Sequence, residues 1–442
     1  MKKYLNNLNV LIKDKAGFYI LCYAVLFVNF IELFALKTGY LGRISFILIT
    51  IIGITVFSID YFLDKNKNTD KDLKIFVIIS IVFYLYVLIN GIVYGNKTRL
   101  FYGGYQYIIY YFVFFTVFIM LKETNVKKFL NFILSINTIL SYVLLYEFIT
   151  RKNILYTTDF GKMAYDGITV VRGKAFFGSF LNAGIVLSVS CFFAIYFIIN
   201  TIKNRKFKYS MIYIFYFLSY IVGILSTGSR GPFVIIFAGV IFAIILYGVF
   251  LSSNKKLAIK IILSLLAVIV IAVPIILNID ISRINNKMLS FILHRIQSIF
   301  NWSSDQGNVE RIKSWEFSFG LIKSNPIFGV GVASTGAKGV GSFGIGVTES
   351  GLLKKFAEMG VVGLILSYSI FALIMITAIK KLKDKTISFN NKIFILLAAS
   401  SFFAIMVEDV IYQSTEAEVV SFYLWLIVAL IYKGSRLKNI EV

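Results

Sequence analysis

The chain has 442 residues, of which 58% are hydrophobic, 17% aromatic and 15% charged, and its mean hydropathy is +0.82. Soluble domains carry about 25% charged and roughly 45–50% apolar residues, so a soluble globular domain is excluded and the chain reads as a polytopic membrane protein. Lys and Arg number 45 against 22 Asp and Glu, a formal charge of +23; they sit in short gaps between apolar runs, where they orient helices and meet anionic headgroups, and they form no basic, aromatic-interleaved module for nucleic acid.

About 20 apolar residues span a hydrocarbon core. The amino-terminal stretch MKKYLNNLNVLIKDK leads into an apolar run at 17–36 that lacks a small-residue cleavage end, and it is read as a retained first helix. Runs at 44–63, 74–94, 100–121 and 129–149 follow, then a hydrophilic segment at 150–175. The next runs are 176–200, 209–226, 232–251 and 257–278, before a long segment at 279–358. The last three are 359–379, 393–410 and 419–432. The expected fold is all-α: one membrane domain over residues 1–442, a bundle of about 12 transmembrane helices, because the runs lack the period-2 alternation of barrel strands. Gly103, Gly104 and Gln106 make the fourth run irregular, and the last run is short.

Placing alternate gaps on alternate sides, with the amino terminus in the cytoplasm, assigns 26 of the 45 basic residues to the cytoplasmic gaps and 5 to the short outer loops. The remaining 14 fall in 150–175 and 279–358, and long loops escape the positive-inside rule. Both termini are therefore expected in the cytoplasm, with the non-membrane sequence and the function on the outer side. Within the large outer segment, 283–301 places Arg283, Lys287, Ser290, His294, Gln297 and Asn301 on one helical face, and Ile284, Met288, Phe291, Ile292, Ile296 and Ile299 on the other. A second interfacial helix is expected over 309–323, with Ile312, Trp315, Phe319 and Ile322 as its apolar stripe. Asn325-Pro326 ends it, and a glycine-rich stretch to Gly346 forms a mobile or tightly turned loop.

The inventory of chemistry is short. One histidine, His294, and two cysteines, Cys22 and Cys191, both inside apolar runs, leave no set of zinc ligands. An arginine at the membrane edge costs up to about 2.5–3.5 kcal/mol at mid-bilayer and needs a reason. Arg172 in VVRGKAFFGSFLNAG, beside Lys174, Arg230 in STGSRGP, and Arg311 opening the second amphipathic helix are such residues. Each alone fits a snorkelling cation; together they form a receptor for phosphate or pyrophosphate, which guanidinium grips bidentately. His294 and Arg295 are secondary candidates. Glu349, where the chain re-enters the membrane, acts as general base on a hydroxyl, caps the helix beginning near Ser350, or pairs with an arginine. Glu408, Asp409, Glu416 and Glu418 line a path or, more simply, form a solvated outer rim; Asp60 and Glu147 are weaker candidates.

Two motifs resemble the O-antigen polymerase and O-antigen ligase superfamily of bacterial envelopes. STGSRGPF at 226–233 is similar to its Thr/Ser-x-Ser-Arg-Gly element. Arg311 through Trp315 to NPIFGVG at 325–331, then ESGLLKKFAEMGVVGL at 349–364, resembles its Arg-x-x-x-Trp, Pro-x-x-Gly-x-Gly and Glu-x-Gly-x-x-Gly series. VRGKAFFGSFLNAG at 171–184 is a weaker third match, and the first 150 residues match only in being helical. The resemblance implies a glycosyltransferase with lipid-linked glycan donor and acceptor, on the outer face of the bacterial inner membrane, without metal or cofactor. Arg172, Arg230 and Arg311, with Lys174, would hold the donor's pyrophosphate, and Glu349, Arg311 and Arg230 would carry the chemistry. A protein that regulates chain length is the implied partner besides lipid. Counting back from Ala357-Glu358-Met359-Gly360, the ligases' histidine falls on Glu349, which favours a Wzy-type polymerase over a ligase. A lipid-linked oligosaccharide flippase is the competitor from another class; it predicts internal pseudo-repeats, and none is seen.

Overall fold

The structure is a computed structural model that describes residues 2–33, 71–94, 107, 111–155, 161–252, 274–300, 306–335 and 348–437, with isolated positions between 256 and 271. In chain order its helices are α1 (Lys2–Asn29), α2 (Lys71–Val93), α3 (Tyr111–Met120), α4 (Val126–Thr150), α5 (Phe180–Lys203), α6 (Phe207–Thr227) and α7 (Gly231–Leu246). After these come α8 (Lys287–Gln297), α9 (Gln306–Ser324), α10 (Gly351–Lys383), α11 (Phe389–Ile411) and α12 (Glu418–Lys433). Eight stretches among the described residues are long and apolar enough to cross a membrane: α2, α4 to α7 and α10 to α12, with their short helical extensions. Each coincides with an expected run. Of the other four expected runs, 44–63 lies outside the described residues, while 17–36, 100–121 and 257–278 are described in part.

Apolar residues at the bundle's periphery face outward, as a lipid solvent demands: Ile78, Ile81, Leu85, Ile89 and Ile92 of α2 are each half exposed or more. The centre is α12, 94% of whose apolar stretch is buried, against 22% for α7. Although short, it is enclosed by its neighbours.

Three features depart from the sequence reading. The hydrophilic segment at 150–175, in a chain expected to be all-α, holds an antiparallel hairpin of β1 (Lys162–Tyr165) and β2 (Ile168–Val171). Asp166 and Gly167 form its two-residue turn with φ of 46° and 73°, the conformation for which Asp-Gly is selected, and Val170 and Val171 are buried. Next, α10 begins at Gly351, where the reading of Glu349 placed a helix start near Ser350, and so extends ahead of the apolar run at 359–379. Ser350 caps it, its Oγ accepting from Leu353 N at 3.2 Å, and the charges that read as loop are neutralised within the fold: Lys354 by Glu416 (2.6 Å) and Lys355 by Asp409 (2.8 Å). Finally, the first expected interfacial helix is split into a 3-10 turn at Ile281–Arg283 and α8. Its polar face is not all wet, because Ser290 is buried and shares a 2.8 Å hydrogen bond with the Tyr165 hydroxyl of the hairpin.

Inside the bundle, Asn137 of α4 accepts from Asn29 of α1 (2.8 Å) and donates to Ser190 of α5 (2.8 Å), while Tyr423 of α12 donates to Asn29 (3.0 Å). Four helices are thus joined by one buried polar cluster. Cys22 and Cys191 are buried and unbridged. Asn137→Leu should lower stability in mild detergent by about 1–2 kcal/mol, the range for hydrogen bonds between membrane helices, read from thermal unfolding; an unchanged melting temperature would refute the role of the cluster.

Candidate active site

The ends of α5, α7, α9, α10 and α11 converge at one end of the bundle around a cavity of about 630 Å³. Arg172, Arg230, Arg295 and Arg311 line it, with Glu310, Glu349 and Glu408 as its carboxylates.

STGSRGP makes the tightest part of the wall. α6 ends at Thr227, and Gly228 takes the left-handed conformation (φ 55°); a Cβ there would stand 2.8 Å from the Phe291 ring. Arg230 is the N-cap position of α7, and Pro232, with no N–H to lose, sits in its first turn. The Arg230 guanidinium donates to the carbonyl and Oγ of Ser298, both at 3.2 Å, and Arg295 of α8 donates to Gly228 O at 3.1 Å. The two arginines clasp the helix turn and the end of α8 together.

Arg172 follows β2 directly. Its Nε donates to Thr227 O at 3.0 Å, and its guanidinium lies 3.3 Å from the centre of the Phe180 ring. Glu147, fully buried, holds the segment in place by accepting from the backbone N–H of Ile154 (2.8 Å), Lys174 (2.8 Å) and Ala175 (2.7 Å). Gly173 permits the approach, since a Cβ there would stand 2.6 Å from Leu144 O. The Lys174 side chain turns the other way, to Glu32 at 2.6 Å, buried and off the cavity wall. It is not brought into the site that sequence reading gave it.

Arg311 and Trp315, one helical turn apart on α9, reach the same residue: Arg311 Nε lies 3.4 Å from Glu349 Oε2, and Trp315 Nε1 donates to Glu349 O at 3.4 Å. Glu349 is thus the arginine partner and not the helix cap, which is Ser350. It holds a left-handed φ of 51°, a conformation that costs a non-glycine residue of order 1–3 kcal/mol and is kept here by the contacts to α9. Of the stripe expected on α9, Ile322 is buried and Trp315 packs on α10, whereas Ile312 and Phe319 are 41% and 50% exposed.

NPIFGVG is a turn laid on a break in α10. Gly360 (φ 64°) interrupts that helix, and the freed backbone groups pair across: Val330 N to Ala357 O at 2.8 Å, Gly331 N to Glu358 O at 3.0 Å, Val361 N to Pro326 O at 2.9 Å. A Cβ at Gly329 or Gly360 would overlap the opposite backbone. Glu358, fully buried, accepts from Ala333 N, Thr335 N, Thr335 Oγ1 and the Tyr107 hydroxyl at 2.8–3.0 Å. The glycine-rich segment is therefore tightly turned up to Thr335; residues 336–347 lie outside the described residues.

Two further residues were not assigned to the site by the sequence. Glu408 was expected on a solvated rim, yet it is 3% exposed and lines the cavity; Asp409 is buried as well. The missed signal is that both acids fall inside the apolar run at 393–410, and an ionisable residue within a span is a functional candidate by default. Tyr412 also lines the cavity, and burial, then the nearby Glu349 and Glu408 charges, push its ionisation upward, so it remains a neutral phenol. His294 is off the wall, with its ring 5.4 Å from that of Tyr165. Among the described residues no three His, Cys, Asp or Glu side chains are grouped as a metal would require.

Fold and cavity define a multi-pass membrane protein with a guanidinium-lined chamber at one end of its helix bundle. Residues 215–368 match the family model described as O-antigen ligase, so this stretch of the chain is similar to that family. No curated protein matches the chain. The matched stretch carries Arg230, Arg295, Arg311 and Glu349; Arg172 and Glu408 reach the same cavity from outside it.

Gly360→Ala should destabilise the protein by about 2–4 kcal/mol, from a strained φ together with overlap against the 325–331 turn. Limited proteolysis and thermal melting check this, and a variant as stable as the parent would show that the break in α10 does not hold the turn.

Proposed function

We propose that the chain is a Wzy-type polysaccharide polymerase, which moves a growing polyprenyl-pyrophosphate-linked glycan onto the non-reducing end of another lipid-linked repeat unit. The observation that carries this reading is the convergence of Arg172, Arg230, Arg295 and Arg311 on one cavity. A pyrophosphate diester carries two negative charges, and guanidinium groups bind such oxygens bidentately. As the anomeric C–O bond breaks, charge grows on the departing pyrophosphate, and preorganised cations lower that barrier electrostatically. Nucleotide-sugar enzymes commonly assign this task to a divalent cation; here the arginines take it.

Val234 and Ile411 on the wall, and the outward-facing Phe237 of thinly covered α7, offer the donor's polyprenyl tail a route to the bilayer. Lys and Arg asymmetry supports an extracytoplasmic chamber with both termini cytoplasmic. Glu349, standing where ligases are expected to carry histidine, supports polymerase over ligase, and its contact with Arg311 supports a positioning role for it. The description of the matched family keeps ligase as the second reading.

Arg230→Ala and Arg311→Ala should each cut polymer formation by about 10²–10³-fold while the protein still inserts, the loss typical of one transition-state donor. Glu349→Gln should cost less than about tenfold, since a partly exposed ion pair is worth about 1 kcal/mol. Normal polymer from both arginine variants would sink the pyrophosphate reading. A gel of surface and lipid-linked glycans from a strain lacking the gene separates the classes: collapse to one attached repeat means polymerase, and full-length polymer left on its carrier means ligase. Repeats trapped on the cytoplasmic leaflet would mean a flippase.

A further inference from the structure

Glu408 and Asp409 are consecutive residues at the end of α11, and each carboxylate sits against the first-turn glycine of a different helix. A Cβ at Gly231 of α7 would stand 2.6 Å from Glu408 Oε1, and one at Gly351 of α10 would overlap the Asp409 carboxylate. Helix amino termini favour such negative charge. The two seats are alike; their outward sides differ.

Asp409 is fully engaged. Lys355 Nζ reaches its Oδ2 at 2.8 Å, and Oδ1 accepts from Thr415 N and Oγ1, both at 2.9 Å. It is a structural carboxylate. Glu408 is nearly as buried, at 3% exposure, but its Oε2 has no hydrogen-bond partner, and no cation lies in ion-pair contact with it among the described residues. It lines the cavity shared with Arg230 and Arg311. Leaving a buried carboxylate oxygen unpaired costs free energy, so the position needs a compensating use, and an incoming hydroxyl supplies the missing donor. Glu349, by contrast, already has Arg311 on its carboxylate.

We propose that Glu408 is the general base of the transfer, receiving the acceptor sugar's hydroxyl proton on Oε2; this rests on the pyrophosphate reading of the arginines. In the step, the acceptor oxygen forms a bond to the donor's anomeric carbon. The bond from that carbon to pyrophosphate oxygen breaks with its electron pair, polyprenyl pyrophosphate departs, and the proton passes to Glu408 and then to solvent. Gly231 of the Ser-Arg-Gly element has a defined task in this arrangement: it leaves room for the base beside the arginine that holds the leaving group.

The test measures glycan transfer and binding of polyprenyl pyrophosphate alone by the full-length protein and by Glu408→Gln and Glu408→Asp. A base is expected to lose about 10²–10⁴-fold in transfer as Gln and to recover part of it as Asp, with pyrophosphate binding kept within about threefold in both. A structural role predicts the opposite order, since Gln preserves the shape and Asp does not. Gln equal to or better than Asp, or transfer by Gln within about threefold of the parent, overturns the assignment of Glu408 and leaves the pyrophosphate reading standing. Failure of the unaltered protein both to bind polyprenyl pyrophosphate and to transfer glycan overturns the two together.

Discussion

A charge held between apolar helices persists only where groups of the protein replace the water it has lost, and the cavity end of this bundle is organised by that demand. Glu147 accepts three backbone N–H groups and so fixes the segment that delivers Arg172. Glu358 accepts four donors and so fixes the turn opposite α10. Asp409 takes Lys355 and Thr415. These carboxylates are the internal frame. Against it, Glu408 stands out because its seat is built in the same way and its partner is missing.

The glycines of the family-like motifs serve the same frame. Gly173, Gly231, Gly329, Gly351 and Gly360 each stand where a Cβ would strike a backbone or a carboxylate. Helix ends can therefore approach closely enough for their N–H groups and carbonyls to pair across elements, which replaces solvent where the bilayer offers none. Arginines are then held at the rim of this packed region by carbonyl acceptors: Thr227, Gly228 and Ser298.

Much of the site was legible beforehand because its residues are chemically conspicuous. Arg172, Arg230 and Arg311 are cations read at the membrane edge, and they reach one cavity together with Arg295, a secondary candidate. Lys174 was equally conspicuous and is absent from it, because its side chain pairs with Glu32 on the other side of the segment. Glu408 was misread as solvated because its neighbour Asp409 and the nearby Glu416 and Glu418 suggested a polar rim. The hairpin was overlooked although Asp166-Gly167 announces its turn.

Composition and periodicity alone determined the membrane class, eight of the spans and the arginine inventory, since the bilayer imposes one length and one polarity on every crossing segment. Pairing was decided only by the tertiary structure: which carboxylate is neutralised and by what, and which glycine faces which backbone. Those outcomes depend on contacts between residues such as Gly231 and Glu408, 177 positions apart in the chain, and no local pattern in an amino-acid sequence encodes the distance between them.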